Sequence, residues 1–252
     1  MILYWPWFGG YLYQPLPSFT FNFLSEPDDM TQNGPDRVEL VHGDNPNWSI
    51  IWLHGLGADG HDFEPVAAAL NLPDSVSVRF VFPHAPYRSV TINGGMRMRA
   101  WYDIRAMELD SRADAAGVEE STQLLKGWVE EEISRGIDPS HIILAGFSQG
   151  GAIALNIALK LDQKVAGIIA LSTYIPSPVA TGTEVANAGI PLFMGHGQFD
   201  PVVSPALGEA ARQTMIESGF DVTWQTYPMP HSVAPEEIRD IRNWLGQVLG
   251  FQ

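Results

Sequence analysis

Apolar residues along this chain fall into short continuous runs, and helix-spaced patterns separate them. Val38–Val41 and Ser49–Leu53 read as strands, the second almost wholly apolar. Phe63–Leu70 predicts a short helix and Arg79–Phe82 a further strand. Between Asp114 and Arg135, Val118, Leu125, Val129 and Ile133 share one face and glutamates the other, which predicts a long amphipathic helix. The pattern continues as strand 141–146, helix 149–161, strand 165–171, strand 190–194, helix 205–218, strand 222–227 and helix 235–248. Strands apolar on both faces must be covered on both, so the expected fold is α/β: a doubly wound, mostly parallel sheet with helices on each side. Ser172–Gly189, rich in Pro, Thr and Ala, reads as an excursion between strands.

Length and charge narrow the picture. A chain of 252 residues can bury a large core as a single α/β unit. A formal charge of −15 argues against nucleic acid as a partner and against docking on anionic lipid through basic residues. The absence of cysteine excludes disulfides, thiolate-held zinc and a cysteine nucleophile.

Residues 1–25 carry no charge and are crowded with aromatics, among them Trp5, Trp7, Tyr11 and Phe21. The first basic residue is Arg37, and Pro6, Gly9, Gly10, Pro15 and Pro17 interrupt any helix. Neither a secretory signal nor a membrane-spanning helix is expected from such a stretch, and the expected location is cytoplasmic. We read residues 1–29 as an extension outside the core, with a single catalytic domain over 30–252. A sharper reading has the aromatics cover an apolar acyl groove or a dimer face.

Chemistry enters at Gly146-Phe147-Ser148-Gln149-Gly150. The segment follows the apolar run Ile142–Ala145 and precedes a helical stretch, which is the context of a serine hydrolase's nucleophile elbow. The short motif alone recurs by chance, so its partners matter. A serine hydroxyl needs a base to take its proton. His231 stands in the loop after the late strand 222–227 and before the last helix, and is the candidate base. Asp200 is the first acidic residue after strand 190–194 and is the candidate carboxylate that orients the imidazole. Asp221 is the alternative, but it opens a strand and falls at the opposite edge of the sheet. The order Ser148, Asp200, His231 is that of α/β-hydrolases.

Negative charge developing on a carbonyl oxygen needs fixed donors. The backbone N–H of Gln149 is one candidate, and that of Leu56, in the loop Leu53-His54-Gly55-Leu56-Gly57-Ala58-Asp59-Gly60, is the other. Gly55-x-Gly57-x-x-Gly60 also matches a dinucleotide fingerprint. The acidic residue that fingerprint requires about 20 positions on is missing. Asp59, His61 and Asp62 share one short loop and read as a solvated turn, with no metal expected.

These residues resemble the phospholipase/carboxylesterase family of α/β-hydrolases, which includes the acyl-protein thioesterases. The resemblance runs from about Arg37 to the C-terminus. It rests on the 53–60 loop, Pro83-His84-Ala85-Pro86, Asn93-Gly94-Gly95-Met96, Ala100-Trp101-Tyr102-Asp103-Ile104, the elbow, Gly195-His196-Gly197 and Asp200-Pro201-Val202-Val203. It implies hydrolysis of short- to medium-chain acyl esters or thioesters, lipid-like substrates included, without a cofactor and often as a homodimer. It also implies Trp101 as a substrate contact, with the Arg88–Arg99 stretch as a flap. His84 and His196 are expected to close loops through backbone hydrogen bonds. The alternatives are a peptidase, a lysophospholipase, or a binding protein that has lost its chemistry. Nothing marks an amine clamp, which disfavours the first, and all three triad residues are present, which disfavours the last.

Overall fold

Strands apolar on both sides find a cover on both sides. The computed structural model describes residues 37–105, 114–176 and 185–251, all within one unit spanning Pro35–Gln252. In chain order the elements are β1 (Arg37–His42), β2 (Trp48–Leu53), α1 (Glu64–Ala69), β3 (Val78–Pro83), β4 (Tyr87–Val90) and β5 (Met96–Arg99). They continue with α2 (Ala115–Ser134), β6 (Ile142–Phe147), α3 (Gln149–Ala158), β7 (Gly167–Leu171), β8 (Pro191–Gly197), α4 (Pro205–Glu217), β9 (Asp221–Tyr227) and α5 (Pro235–Leu249). The expected extension over 1–29 lies outside the described residues, as does the middle of the 172–189 excursion. Among the described residues, no helix is long and apolar enough to cross a membrane.

The main sheet has seven strands in the order β1-β3-β2-β6-β7-β8-β9. All neighbours are parallel except β1, which pairs antiparallel with β3. Side chains alternate along each strand, and this divides the core in two. Ile51, Leu53, Leu144, Ile168, Leu192 and Met194 pack with Val118 and Leu125 of α2, Ile153 of α3 and Met215 of α4. Ile50, Trp52, Ile143, Ile169 and Phe193 pack on the other face with Val66 of α1 and with Ile241, Trp244 and Leu245 of α5. Trp52, Phe82, Phe193 and Leu53 are at most 1% exposed; burial of each such side chain contributes about 1.5–3 kcal/mol or more.

The two edges are protected differently. On β9, Asp221, Thr223 and Gln225 are exposed, and such polar side chains discourage pairing with another chain. At the β1 edge, Arg37 bonds both Glu39 and Glu131, and Arg135 meets Glu39 at 2.9 Å. Arg79 of β3 lies 3.2 Å from Glu132, which is buried. This network ties β1 and β3 to α2. The sheet pattern follows the sequence expectation closely. The β4–β5 hairpin is an addition, closed by the 3₁₀ turn Thr91–Asn93 and by Gly94 and Gly95, both at positive φ.

One buried acid stands out. Glu237, in the first turn of α5, is 0% exposed, and its carboxyl presses on β8, where a Cβ on Gly195 would lie 2.0 Å from Oε1. Burial pushes its pKa up to about 8, against the opposing pull of the Ala234 backbone N–H, with Asp240 adding to the rise. Tyr227 of β9 faces the same charge and bonds Asp240 at 2.8 Å. The folded protein therefore holds this carboxyl neutral where the unfolded chain would ionise it. Its contribution to stability is fully present below the unfolded value of 4.5 and is lost as pH rises toward 8. Glu237→Gln should flatten that loss. Melting temperatures of the two proteins should be close at pH 5 and diverge by pH 8, the variant being the higher; parallel profiles would refute the assignment.

Candidate active site

The chain runs from β2 to β3 on one side of the sheet and resumes at β6 on the other. Such a reversal leaves a crevice at the carboxyl ends of the two central strands, where ligands of open α/β sheets bind. Register places the ends of β2 and β6 side by side, with Leu53 opposite Gly146. The oxyanion-loop candidate and the nucleophile candidate therefore leave the sheet together.

Both elbow glycines are required by contact. A Cβ on Gly146 would fall 2.4 Å from Gly150 C, and one on Gly150 would fall 2.4 Å from Leu53 O and 2.6 Å from His54 O. The helix start thus packs backbone to backbone on the end of β2. Ser148, at the N-terminus of α3, sits at φ 54° and ψ −118°. A non-glycine residue there stores about 1–3 kcal/mol of strain, and three hydrogen bonds hold it in place. Ser148 N–H donates to Leu171 O at 2.9 Å, and Ser148 O accepts from Ala152 N–H at 3.0 Å and from Thr173 Oγ1 at 2.7 Å.

β8 and β9 end in register as well, Gly197 opposite Tyr227, and their following loops bring Asp200 and His231 to the serine. His231 Nδ1 lies 2.6 Å from Asp200 Oδ2, and Nε2 lies 2.9 Å from Ser148 Oγ. A carboxylate only accepts, so Nδ1 carries the proton and the Nε2 lone pair faces the hydroxyl. Asp200 Oδ1 accepts from the N–H groups of Val202 and Val203 at 2.8 and 2.9 Å. Three donors therefore hold this buried carboxylate. His196 Nε2–H donates to Val203 O at 3.0 Å, and burial lowers the His196 pKa, keeping the ring neutral beside Asp200. The Phe147 ring lies 4.7 Å from that of His231, centroid to centroid. Asp221 pairs with Pro191 at the start of β8, the opposite edge of the sheet from His231.

The loop after β2 is braced from several sides. His54 Nδ1–H donates to Gly55 O at 2.7 Å and Nε2 accepts from Ala85 N–H at 3.0 Å. Burial pushes the His54 pKa down to about 4, so the ring is neutral near pH 7. Gly57 N–H donates to Arg99 O at 2.9 Å and Ala58 N–H to Gly55 O at 3.3 Å. Among the described residues, the N–H groups of Leu56 and Gln149 have no acceptor. A Cβ on Gly55 would stand 3.6 Å from Ser148 Cβ, so this loop borders Ser148. His84 accepts from Gly60 N–H at 2.9 Å, closing the far end of the loop.

Trp101 is 0% exposed, and its indole N–H donates to His54 O at 2.8 Å. Its ring is packed between His54 and Trp128, behind the loop. The Arg88–Arg99 stretch contains most of the β4–β5 hairpin, whose Arg99 and Met98 border Gly57. Sequence reasoning missed Thr173, whose hydroxyl braces Ser148, and the side chain of Gln149. The signals were slight: one hydroxyl just past a buried strand, and one amide at the head of an apolar helix.

An α/β sheet of this topology, with a serine, an imidazole and a carboxylate in hydrogen-bonded sequence at its crevice, is that of a serine hydrolase of the α/β-hydrolase fold. Residues 38–249 match the phospholipase/carboxylesterase family, to which the chain belongs. Acyl-protein thioesterase 1 of Cryptococcus neoformans is 37% identical over 223 residues, covering 80% of this chain and 92% of that protein. Acyl-protein thioesterase 1 of Mycosarcoma maydis is 38% identical over 227 residues, covering 83% and 95%. The crystal structure of Zea mays acyl-protein thioesterase 2 superposes with a TM-score of 0.71 at 26% identity, covering 84% of this chain and 99% of that one. The protein is accordingly an enzyme acting on carboxylic ester or thioester bonds.

The packing of the elbow makes a direct prediction. Gly150→Ala pushes a methyl into two backbone carbonyls, and overpacking of this kind costs about 1–3 kcal/mol or more. The variant should melt below wild type and lose ester hydrolysis. A variant equal to wild type in both would refute the contact.

Proposed function

We propose that the enzyme is a carboxylesterase or thioesterase for short- to medium-chain acyl substrates, working through a Ser148–His231–Asp200 triad and an acyl-enzyme. The single observation that supports it best is the proton path from Ser148 Oγ through His231 to Asp200, with steps of 2.9 and 2.6 Å. Ser148 Oγ attacks the acyl carbonyl as His231 Nε2 takes its proton. The carbonyl π-pair moves onto oxygen, where the N–H groups of Leu56 and Gln149 receive it. His231 then protonates the leaving alkoxide or thiolate as its bond to the acyl carbon breaks. Water, deprotonated by His231, cleaves the acyl-enzyme by the same two steps. Asp200 keeps the imidazole in the reactive tautomer and stabilises its cation.

The thioester arm has its support in the fungal relatives, both acyl-protein thioesterases. The acyl-length range is what the resemblance to the phospholipase/carboxylesterase family implies.

Two measurements test the proposal. Ser148→Ala should remain folded and lose ester turnover and labelling by a fluorophosphonate; near-full activity would end the proposal. Asp200→Asn should lower kcat by about 10⁴-fold, because the amide favours the unreactive tautomer. A loss under tenfold would remove Asp200 from the triad. A series of p-nitrophenyl esters of increasing length, beside one acyl thioester, reads the substrate range directly. A rate that climbs steadily to long chains would overturn the short- to medium-chain assignment.

A further inference from the structure

Residues 100–102 form an irregular segment buried at the heart of the domain. Ala100, Trp101 and Tyr102 are all 0% exposed, and buried backbone polar groups without ladder partners must be satisfied some other way. The side chains of Gln149 and Ser121 satisfy three of them. Trp101 N–H donates to Gln149 Oε1 at 2.8 Å, and Gln149 Nε2 donates to Tyr102 O at 2.7 Å. Ser121 Oγ of α2 donates to Trp101 O. Ala100 N–H donates to Pro86 O at 3.0 Å. The segment is thereby clamped to the first residue of α3 by both ends of one amide group.

The same segment reaches the other side of the crevice. The Trp101 indole N–H donates to His54 O at 2.8 Å. His54 O belongs to the peptide that enters Gly55, one residue before Leu56. A continuous bridge therefore runs from Gln149 through Trp101 to His54, joining the residue after the nucleophile to the loop bearing the second N–H. Each end of the bridge carries or adjoins an N–H group, that of Gln149 or of Leu56, without an acceptor among the described residues. The opposite side of this joint is the backbone contact of Gly150 with Leu53 and His54.

On this basis, and resting on the hydrolase mechanism above, we infer that the Gln149 side chain and the Trp101 indole are positioning elements: they set the separation of the Leu56 and Gln149 N–H groups that receive the oxyanion. The role given to Trp101 is support from behind, with its ring touching His54 and no acyl chain. Neither group bonds His231 or Asp200, so the bridge acts on the developing oxyanion and leaves the proton path alone. Loss of one oxyanion donor lowers kcat by about 10²–10³-fold, and a displaced donor is a partial case of that loss.

The experiment compares Trp101→Phe and Gln149→Met with wild type. Trp101→Phe keeps an aromatic ring and removes the N–H; Gln149→Met keeps the length and removes the amide. Each is measured for kcat, KM, the acid limb of the pH–rate profile, and affinity for an acyl trifluoromethyl ketone. Ser148 adds to that ketone carbonyl, giving its proton to His231, and the product carries an oxyanion as the transition state does. We expect kcat to fall about tenfold in Trp101→Phe and about 10²-fold in Gln149→Met. KM should stay within about twofold, the acid limb should not move, and ketone affinity should fall in step with kcat. The inference is overturned if folded Trp101→Phe stays within twofold of wild type in both kcat and ketone affinity. It is equally overturned if kcat falls while ketone affinity holds, or if the acid limb shifts, since either would place the effect outside the oxyanion site. Should Gln149→Met fail to fold, Trp101→Phe decides alone. Failure of the wild-type enzyme to label at Ser148 with a fluorophosphonate would instead overturn the triad itself.

Discussion

Everything at this site depends on how closely two backbones approach at the top of the sheet. β2 and β6 are neighbours in register, Leu53 beside Gly146, and the first turn of α3 rests on the Leu53 and His54 carbonyls through the bare Cα of Gly150. No side chain intervenes, so the distance between the end of β2 and the start of α3 is set by covalent geometry and close packing. A spacing fixed this way resists thermal drift better than one set by flexible side chains. The registers of β8 and β9 act similarly for Asp200 and His231, each of which leaves the sheet a few residues past the paired Gly197 and Tyr227.

Around that joint the polar groups are arranged so that few are left to move. Asp200 has three donors, His196 covers it as a neutral ring, and both His54 nitrogens are occupied. Preorganised dipoles of this kind need no rearrangement when charge appears on a substrate, and that is where most electrostatic catalysis comes from. The cost appears locally, as a strained Ser148 and a buried Glu237 whose carboxyl is kept neutral.

Much of this was legible in the sequence because its signals are local. The apolar runs at Ser49–Leu53 and Ile142–Ala145 announce buried strands, and Asp114–Arg135 announces its helix by period alone. The parallel sheet follows from the alternation of the two. Register was not legible: a strand apolar on both faces has no phase to read, so the apposition of Leu53 and Gly146 had to come from tertiary packing. The β4–β5 hairpin went unassigned because each strand is four residues long and Met96–Arg99 alternates methionine with arginine, even though Asn93-Gly94-Gly95 is a strong turn signal. Trp101 was ambiguous for another reason. A large aromatic in a connection can face a ligand or fill a core, and its place in the sequence does not separate the two. Glu237, one of two consecutive acids opening a helix, gave no hint of its burial.

The backbone at Ser148 has a consequence for the history of the chain. At φ 54° a residue without a Cβ would sit there more comfortably than any other. Selection for durability alone would thus exchange the serine for glycine, and a lineage that stopped needing its chemistry would have a thermodynamic incentive to do so. The hydroxyl sits at a strained point of the main chain, a mark of a demand that durability does not explain.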